Sequence, residues 1–362
     1  MKWICSLWIL SLIFSGCVKK EEVPSVKQEE EVSNIVTYEA VYHVLDDGPH
    51  VDQIVFDFPK NMESYDLSVD SFDTDVAIES VEVDQDQVVL HLTTLDVEPT
   101  FMNLLLDEDF ELVSNGLASE LDLFGYGESS SGLKYRDFEP SKGDVKHPLI
   151  IWLHGAGETG TDNVSHIAHN RGAVAFIQED VQELFDFPYV LAPQASEHWM
   201  EEFHCCGGVM YGKNQTNHVV TLIREYMDAH EDIDVDRVYI GGCSMGGYQT
   251  WETLFATPEL FAAAFPMCAA YDVPKEKLSL VKDIPIWMAH CSQDTVVPVQ
   301  YSRNAYANLK ELSDCVYYSE FADTSYNGKM YTSHAVWVPV LRNVPENDEG
   351  VHLFEWLASQ HK

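Results

Sequence analysis

Arg237-Val-Tyr-Ile-Gly241 runs directly into Gly242-Cys243-Ser244-Met245-Gly246, after which Tyr248, Trp251, Leu254 and Phe255 recur at three- and four-residue spacing before Pro258. The apolar run reads as a buried strand, and the spacing after it as a helix that stops at the proline. Between them, Gly242 and Gly246 carry no Cβ, so the chain can turn sharply and hold the Ser244 hydroxyl clear of the sheet edge. A serine between glycines is by itself a common turn. Strand, turn and helix in this order are the context that a nucleophile elbow requires.

The segments around this unit repeat its rhythm. Short runs at 148–153, 189–192, 237–241, 263–268, 284–290 and 315–321 have the composition of buried parallel strands. Helical patterns near 216–230, 245–257, 299–312 and 350–360 lie between or after them. Residues 129–362 are therefore predicted to form an α/β domain with a doubly wound, mostly parallel sheet. Upstream, alternating runs at 36–42, 53–58, 76–83 and 88–92 are separated by Asp, Gly, Pro and Asn clusters. Residues 35–128 are expected to be a small all-β sandwich whose strand number fits an immunoglobulin-like module, without the cysteine and tryptophan hallmarks of antibody domains.

Composition narrows the partners. The 362 residues are 46% hydrophobic, as globular chains are, and carry 60 acidic against 21 basic residues for a formal charge of −39. Such a charge argues against nucleic acid and against binding anionic lipid by electrostatics. Most of these carboxylates read as a solvated surface. At the start, Met1-Lys2 and the apolar stretch from Trp3 to Phe14 form a pattern too short to span a bilayer. Residues 1–16 read as an export signal, and Ser15-Gly16-Cys17 resembles the lipobox of bacterial lipoproteins, with Phe14 where leucine is usual. Cys17 is then the expected lipidation site. Residues 17–34, rich in Lys, Glu, Gln, Pro and Ser, would be a solvated tether, and the domain would be surface-anchored or secreted, meeting membrane only through its lipid. Cys243, Cys268 and Cys291 fall at predicted strand ends and are expected as buried free thiols, whereas Cys205-Cys206 lack a second Cys/His pair at zinc-ligand spacing.

A serine hydroxyl becomes a useful nucleophile when a histidine takes its proton and an acid fixes that histidine's tautomer. With the serine on a strand-to-helix elbow, both partners are expected downstream, acid before histidine. Asp294, in the loop His290-Cys-Ser-Gln-Asp294 that follows a buried strand, fits the acid, with Asp272 and Asp323 as alternatives after neighbouring strands. His334 is the one histidine in the loop after the final strand, while His352 lies in the last helix. His290 reads as a core or strand-end histidine, and His166, His169, His198 and His204 precede the serine. A developing oxyanion needs aimed backbone N–H groups. Met245, just after the serine, and the loop Leu153-His154-Gly155-Ala156-Gly157-Glu158 can supply them, Ala156 first and Gly155 next. Glu158, Asp162 and Asn163 read as braces for that loop.

Taken together, Leu153-His-Gly-Ala-Gly-Glu-Thr-Gly-Thr-Asp-Asn163, Gly242-Cys-Ser-Met-Gly-Gly247, the Asp294 loop and His334 followed three residues later by Trp337 resemble bacterial esterases related to feruloyl esterases, esterase D and polyhydroxybutyrate depolymerases. The resemblance covers about residues 133–360 and reaches the N-terminal region by architecture only. It implies an α/β-hydrolase fold and ester hydrolysis through an acyl-serine intermediate. It also implies no metal or organic cofactor, and hydroxycinnamate esters on plant polysaccharide as a substrate class. Prolyl-oligopeptidase-like peptidases share fold and elbow, and a binding lipoprotein with a vestigial hydrolase domain is a non-enzymatic alternative. Trp199 and Trp337 read equally as walls of an aromatic substrate pocket or as core side chains.

Overall fold

The structure, a computed structural model, describes residues 34–74, 76–95, 102–106, 110–141, 145–205 and 208–362. The expected signal, Cys17 and all of the tether before residue 34 lie outside them. Among the described residues no helix is long and apolar enough to cross a membrane.

Seven strands come first: β1 (Ile35–Leu45), β2 (Gly48–Asp57), β3 (Phe72–Thr74), β4 (Ile78–Asp84), β5 (Gln87–Leu95), β6 (Met102–Leu104) and β7 (Glu111–Ser119). They form a five-stranded sheet in the order β4-β5-β2-β1-β7 and a two-stranded β3-β6 ribbon. Val36, Ala40, Ile54, Phe56, Val88 and Leu90 are buried in one cluster with Phe72 of the ribbon, which is why these strands alternate in sequence.

The rest of the chain is built on an eight-stranded sheet. Its strands are β8 (Gly125–Glu128), β9 (Lys134–Phe138), β10 (His147–Leu153), β11 (Tyr189–Gln194), β14 (Ile233–Cys243), β15 (Ala263–Met267), β16 (Ile286–Cys291) and β17 (Val316–Phe321), and a separate hairpin pairs β12 (Glu202–Cys205) with β13 (Gly208–Tyr211). The sheet order is β17-β16-β15-β14-β10-β11-β9-β8, parallel from β17 through β11. Two strands at one side, β9 and the edge strand β8, were not foreseen; they pair antiparallel, and β8, at residues 125–128 near the expected domain boundary, hydrogen-bonds into this sheet. β8 reads as a turn in sequence because glycines occupy two of its four positions.

Every residue of β10 is buried because both faces are covered. Leu149, Ile151 and Leu153 face one cluster with α3 (Thr216–Ala229) and α4 (Met245–Ala256), whereas Ile150 and Trp152 face the other with α2 (Glu179–Leu184) and α7 (Leu353–Ala358). α1 (Ser165–Ala168), α5 (Gln300–Lys310) and α6 (Trp337–Leu341) complete the helices. The tip of the β1-β2 hairpin is keyed into this domain. Val44 is fully buried in the second cluster, Asp46 pairs with Arg342, and Asp47 pairs with Lys329.

Chain order departs from β10 in both directions, to β11 on one side and to β14 on the other. Such a reversal opens a crevice at the carboxyl ends of the two strands. Leu153 and Gly242 are register partners there, so the 153–158 loop and the Ser244 turn face one another.

Candidate active site

Ser244 sits between β14 and α4 with φ 56° and ψ −114°, a conformation that a residue with a side chain adopts at a cost of roughly 1–3 kcal/mol. Its neighbours hold it there. The Ser244 amide donates to Met267 O at 2.9 Å, and the Ala270 amide donates to Ser244 O at 3.0 Å, so the turn is clamped to the end of β15. The flanking glycines are required by crowding as much as by turning. A Cβ at Gly242 would stand 2.4 Å from Leu153 O, and one at Gly246 1.9 Å from the same oxygen.

Asp294 follows β16, and its side chain is completely buried. Its Oδ1 accepts from the amides of Val296 at 2.8 Å and Val297 at 2.9 Å, while Oδ2 lies 2.7 Å from His334 Nδ1. A carboxylate can only accept, so Nδ1 carries the proton and Nε2 presents a lone pair. That lone pair meets the Ser244 hydroxyl at 2.8 Å. Thr324, itself buried, pins the His334 loop by donating to Tyr331 O and Thr332 O. Burial pushes the Asp294 carboxyl up, but hydrogen bonds from His290 and His334 outweigh it and hold the acid well below the usual carboxylate range. The alternative acids are elsewhere: Asp272 and Asp323 are exposed, and Asp323 is occupied with Ser325. His352 caps α7 beside Glu346.

Opposite the serine, Ala156 opens a single helical turn, as Met245 opens α4. First-turn amides have no intrahelical acceptor, and among the described residues neither donates to another protein group. Gly155 differs from the expectation: its amide donates to Glu158 Oε2 at 2.6 Å and is not available to an oxyanion. The other Glu158 oxygen accepts from Asn170 Nδ2 at 2.8 Å, and among the described residues no cation pairs with the group. Burial pushes this carboxyl up to about 8, so it holds its proton at neutral pH. Beneath the loop, burial lowers His154 to about 4; the neutral ring donates from Nδ1 to Gly155 O and accepts the Ala195 amide at Nε2. Asp162 and Asn163 brace the same loop, Asp162 by accepting from the Val164 amide and Gln194, and Asn163 by donating to Tyr135 O.

Ser244, His334 and the 155–158 turn open on a cavity of about 330 Å³, walled on its apolar side by Phe203, Val296 and Trp337. Trp337 presents its ring perpendicular to His334 at 5.4 Å between centroids.

The family model described as phospholipase/carboxylesterase matches residues 139–343, more than half of the chain. The chain belongs to the phospholipase/carboxylesterase family. No curated protein matches it. Among solved structures, a thermostable esterase is similar at 28% identity and a TM-score of 0.70 over 90% of this chain and 99% of that one. A span of that size takes in β-domain strands as well as the hydrolase sheet. Fainter likenesses include a ferulic acid esterase (13% identity, 65% of this chain and 96% of that one, TM-score 0.44) and an acylaminoacyl peptidase of Pyrococcus horikoshii (18%, 56% and 38%, 0.42). The chain is thus a hydrolase of the α/β-hydrolase fold with an all-β N-terminal region.

In this phospholipase/carboxylesterase-family site, Trp199 is not a substrate wall. It is fully buried, packs tilted against His154 at 5.1 Å between centroids, and donates from Nε1 to His154 O, so it supports the 153–158 loop from behind. Phe203 and Val296 were missed as lining residues. Val296 was readable from its place two residues after Asp294; Phe203 was not, because its segment is a short hairpin outside the main sheet. Cys243, Cys268 and Cys291 are buried free thiols. Cys206 and the Cys205 side chain fall outside what the structure describes.

Proposed function

We propose that the chain is a serine carboxylic-ester hydrolase working through an acyl-enzyme. The observation that carries this reading is the unbroken hydrogen-bond chain from Asp294 through His334 to Ser244, whose serine end opens on an apolar cavity beside two unused amides. His334 Nε2 takes the hydroxyl proton as Ser244 Oγ attacks the ester carbonyl, and Asp294 stabilises the imidazolium that forms. The amides of Met245 and Ala156 receive the oxyanion. Collapse of the tetrahedral species expels the alcohol, which leaves with the proton from Nε2. Water then attacks the acyl-serine, His334 again acting as base, and the acid product leaves with Ser244 restored.

The cavity volume and the walls Phe203, Val296 and Trp337 suit a short acyl chain or a single aromatic ring, the class to which hydroxycinnamate esters belong. Export with lipid attachment at Cys17 is part of the same proposal, supported by the Met1 to Cys17 pattern, as is an immunoglobulin-like character for the β-domain, supported by its two-sheet arrangement. A panel of acetyl, butyryl, long-chain and feruloyl esters beside aminoacyl amides tests the activity. Hydrolysis of short or aromatic esters with amides untouched is expected; preferential cleavage of amides would assign a peptidase, and no turnover together with no fluorophosphonate labelling a vestigial domain.

A further inference from the structure

His290 occupies the end of β16, is fully buried, and read in sequence as a core side chain. Its surroundings are not those of a core histidine. Nε2 lies 3.1 Å from Asp294 Oδ2, the oxygen that also receives His334 Nδ1, and 3.2 Å from Val297 O. Both are acceptors, so Nε2 carries the proton. In the neutral ring Nδ1 must then accept, and the Ser302 hydroxyl on α5 stands 2.8 Å away to donate. The result is a chain in which Asp294 is flanked on both sides by a histidine and then a serine: Ser244, His334, Asp294, His290, Ser302. With the amides of Val296 and Val297 on Oδ1, all the lone-pair positions of Asp294 are filled.

We propose that His290 is a positioning residue of the reaction, acting through Asp294: its Nε2–H and the Ser302 hydroxyl behind it fix the carboxylate against rotation and share its charge with His334. This rests on the serine-hydrolase reading above. Without the His290 donor, Oδ2 is held by one partner, and the carboxylate is held less firmly against rotation about its Cβ–Cγ bond. It also bears on His334 with undivided charge and stabilises the imidazolium more strongly.

The test compares His290→Leu, His290→Gln, His290→Asn and Ser302→Ala in the full-length enzyme, with active sites counted by fluorophosphonate titration. The probe is p-nitrophenyl butyrate. Glutamine can bring its amide N–H to the place of Nε2, whereas asparagine reaches only the place of Nδ1. Leu and Asn are expected to lower kcat per titrated site about tenfold at nearly unchanged KM. They are also expected to move the acid limb of kcat/KM upward by about half a pH unit or more. Gln should restore both, and Ser302→Ala should give a smaller change of the same sign. The other titratable groups that face His334 are Asp294, Cys268 just after β15, and Glu158 and His169 across the cavity, all common to the four variants.

Wild-type kcat per site and an unshifted limb in Leu and Asn would overturn the inference, as would equal loss in Gln and Leu with no shift. If the Leu variant does not fold, the Gln-against-Asn contrast and Ser302→Ala decide. Failure of the serine-hydrolase reading is a separate result: the wild-type enzyme would then not be labelled by fluorophosphonate at Ser244.

Discussion

Two carboxyl groups are buried in the same cavity region and end up in opposite states. Asp294 receives two imidazoles and two backbone amides and stays ionised, whereas Glu158 receives one amide and one asparagine, has no cation among the described residues, and keeps its proton at neutral pH. Burial alone would raise both. The number and kind of donors decides which one keeps its charge. That difference suits the proposed chemistry: the ionised acid faces the histidine assigned as base, and the neutral acid stands in the turn proposed to receive the oxyanion.

Breaking the charged side should have the largest effect. Asp294→Asn keeps the shape but offers His334 Nδ1 an amide, which favours the wrong tautomer, and kcat should fall by about 10⁴-fold in ester assays. Next comes the oxyanion turn. Ala156→Pro suits the first position of a helical turn while removing the N–H, and should lower kcat by roughly 10²–10³-fold with KM little changed. An unaffected kcat would remove Ala156 from the oxyanion site.

Glu158→Gln sharpens the comparison through pH. The folded carboxyl titrates near 8 against about 4.5 ordinarily, so both folded and unfolded chains are protonated below about 4.5. Between that pH and about 8 the unfolded chain binds fewer protons than the folded one, so stability falls as pH rises. Above about 8 a charge also appears beside the developing oxyanion. In wild type, Tm should therefore decline across that window and kcat/KM should drop near its upper end; the Gln variant should show a flatter Tm profile and a later alkaline fall.

The smallest effect is expected at the hairpin tip, away from both carboxyls of the comparison. Asp46, 6% exposed at its side chain, takes Arg342 at 3.1 Å through each oxygen. Asp46→Ala should lower stability by roughly 2 kcal/mol by thermal or urea unfolding and leave kcat within about twofold.

Sequence reasoning reached Ser244, Asp294 and His334 because each sits where periodicity breaks off at a strand end, which composition records well. Ala156 and Met245 were read from the same strand ends, and in the structure each opens a helical turn. Gly155 misled because the donor that claims its amide, Glu158, lies three residues on, and only the folded turn shows a side chain curling back. Trp199 stayed open between pocket wall and core because an aromatic in a loop has no period to say which way it faces. His290 looked like core since it ends a wholly apolar strand; its partnership with Asp294 depends on the i, i+4 return of a loop, and Ser302 lies beyond another turn. The β8 and β9 edge escaped notice because edge strands are short and half exposed, with little hydrophobic alternation to read.

All of this hangs on Ser244 being the nucleophile. The most direct measurement is hydrolysis of p-nitrophenyl butyrate by Ser244→Ala, with unfolding monitored to show that the variant folds. The account predicts a folded protein whose turnover falls by at least about 10³-fold and which no longer takes up a fluorophosphonate label. A folded variant that retained wild-type turnover would contradict it.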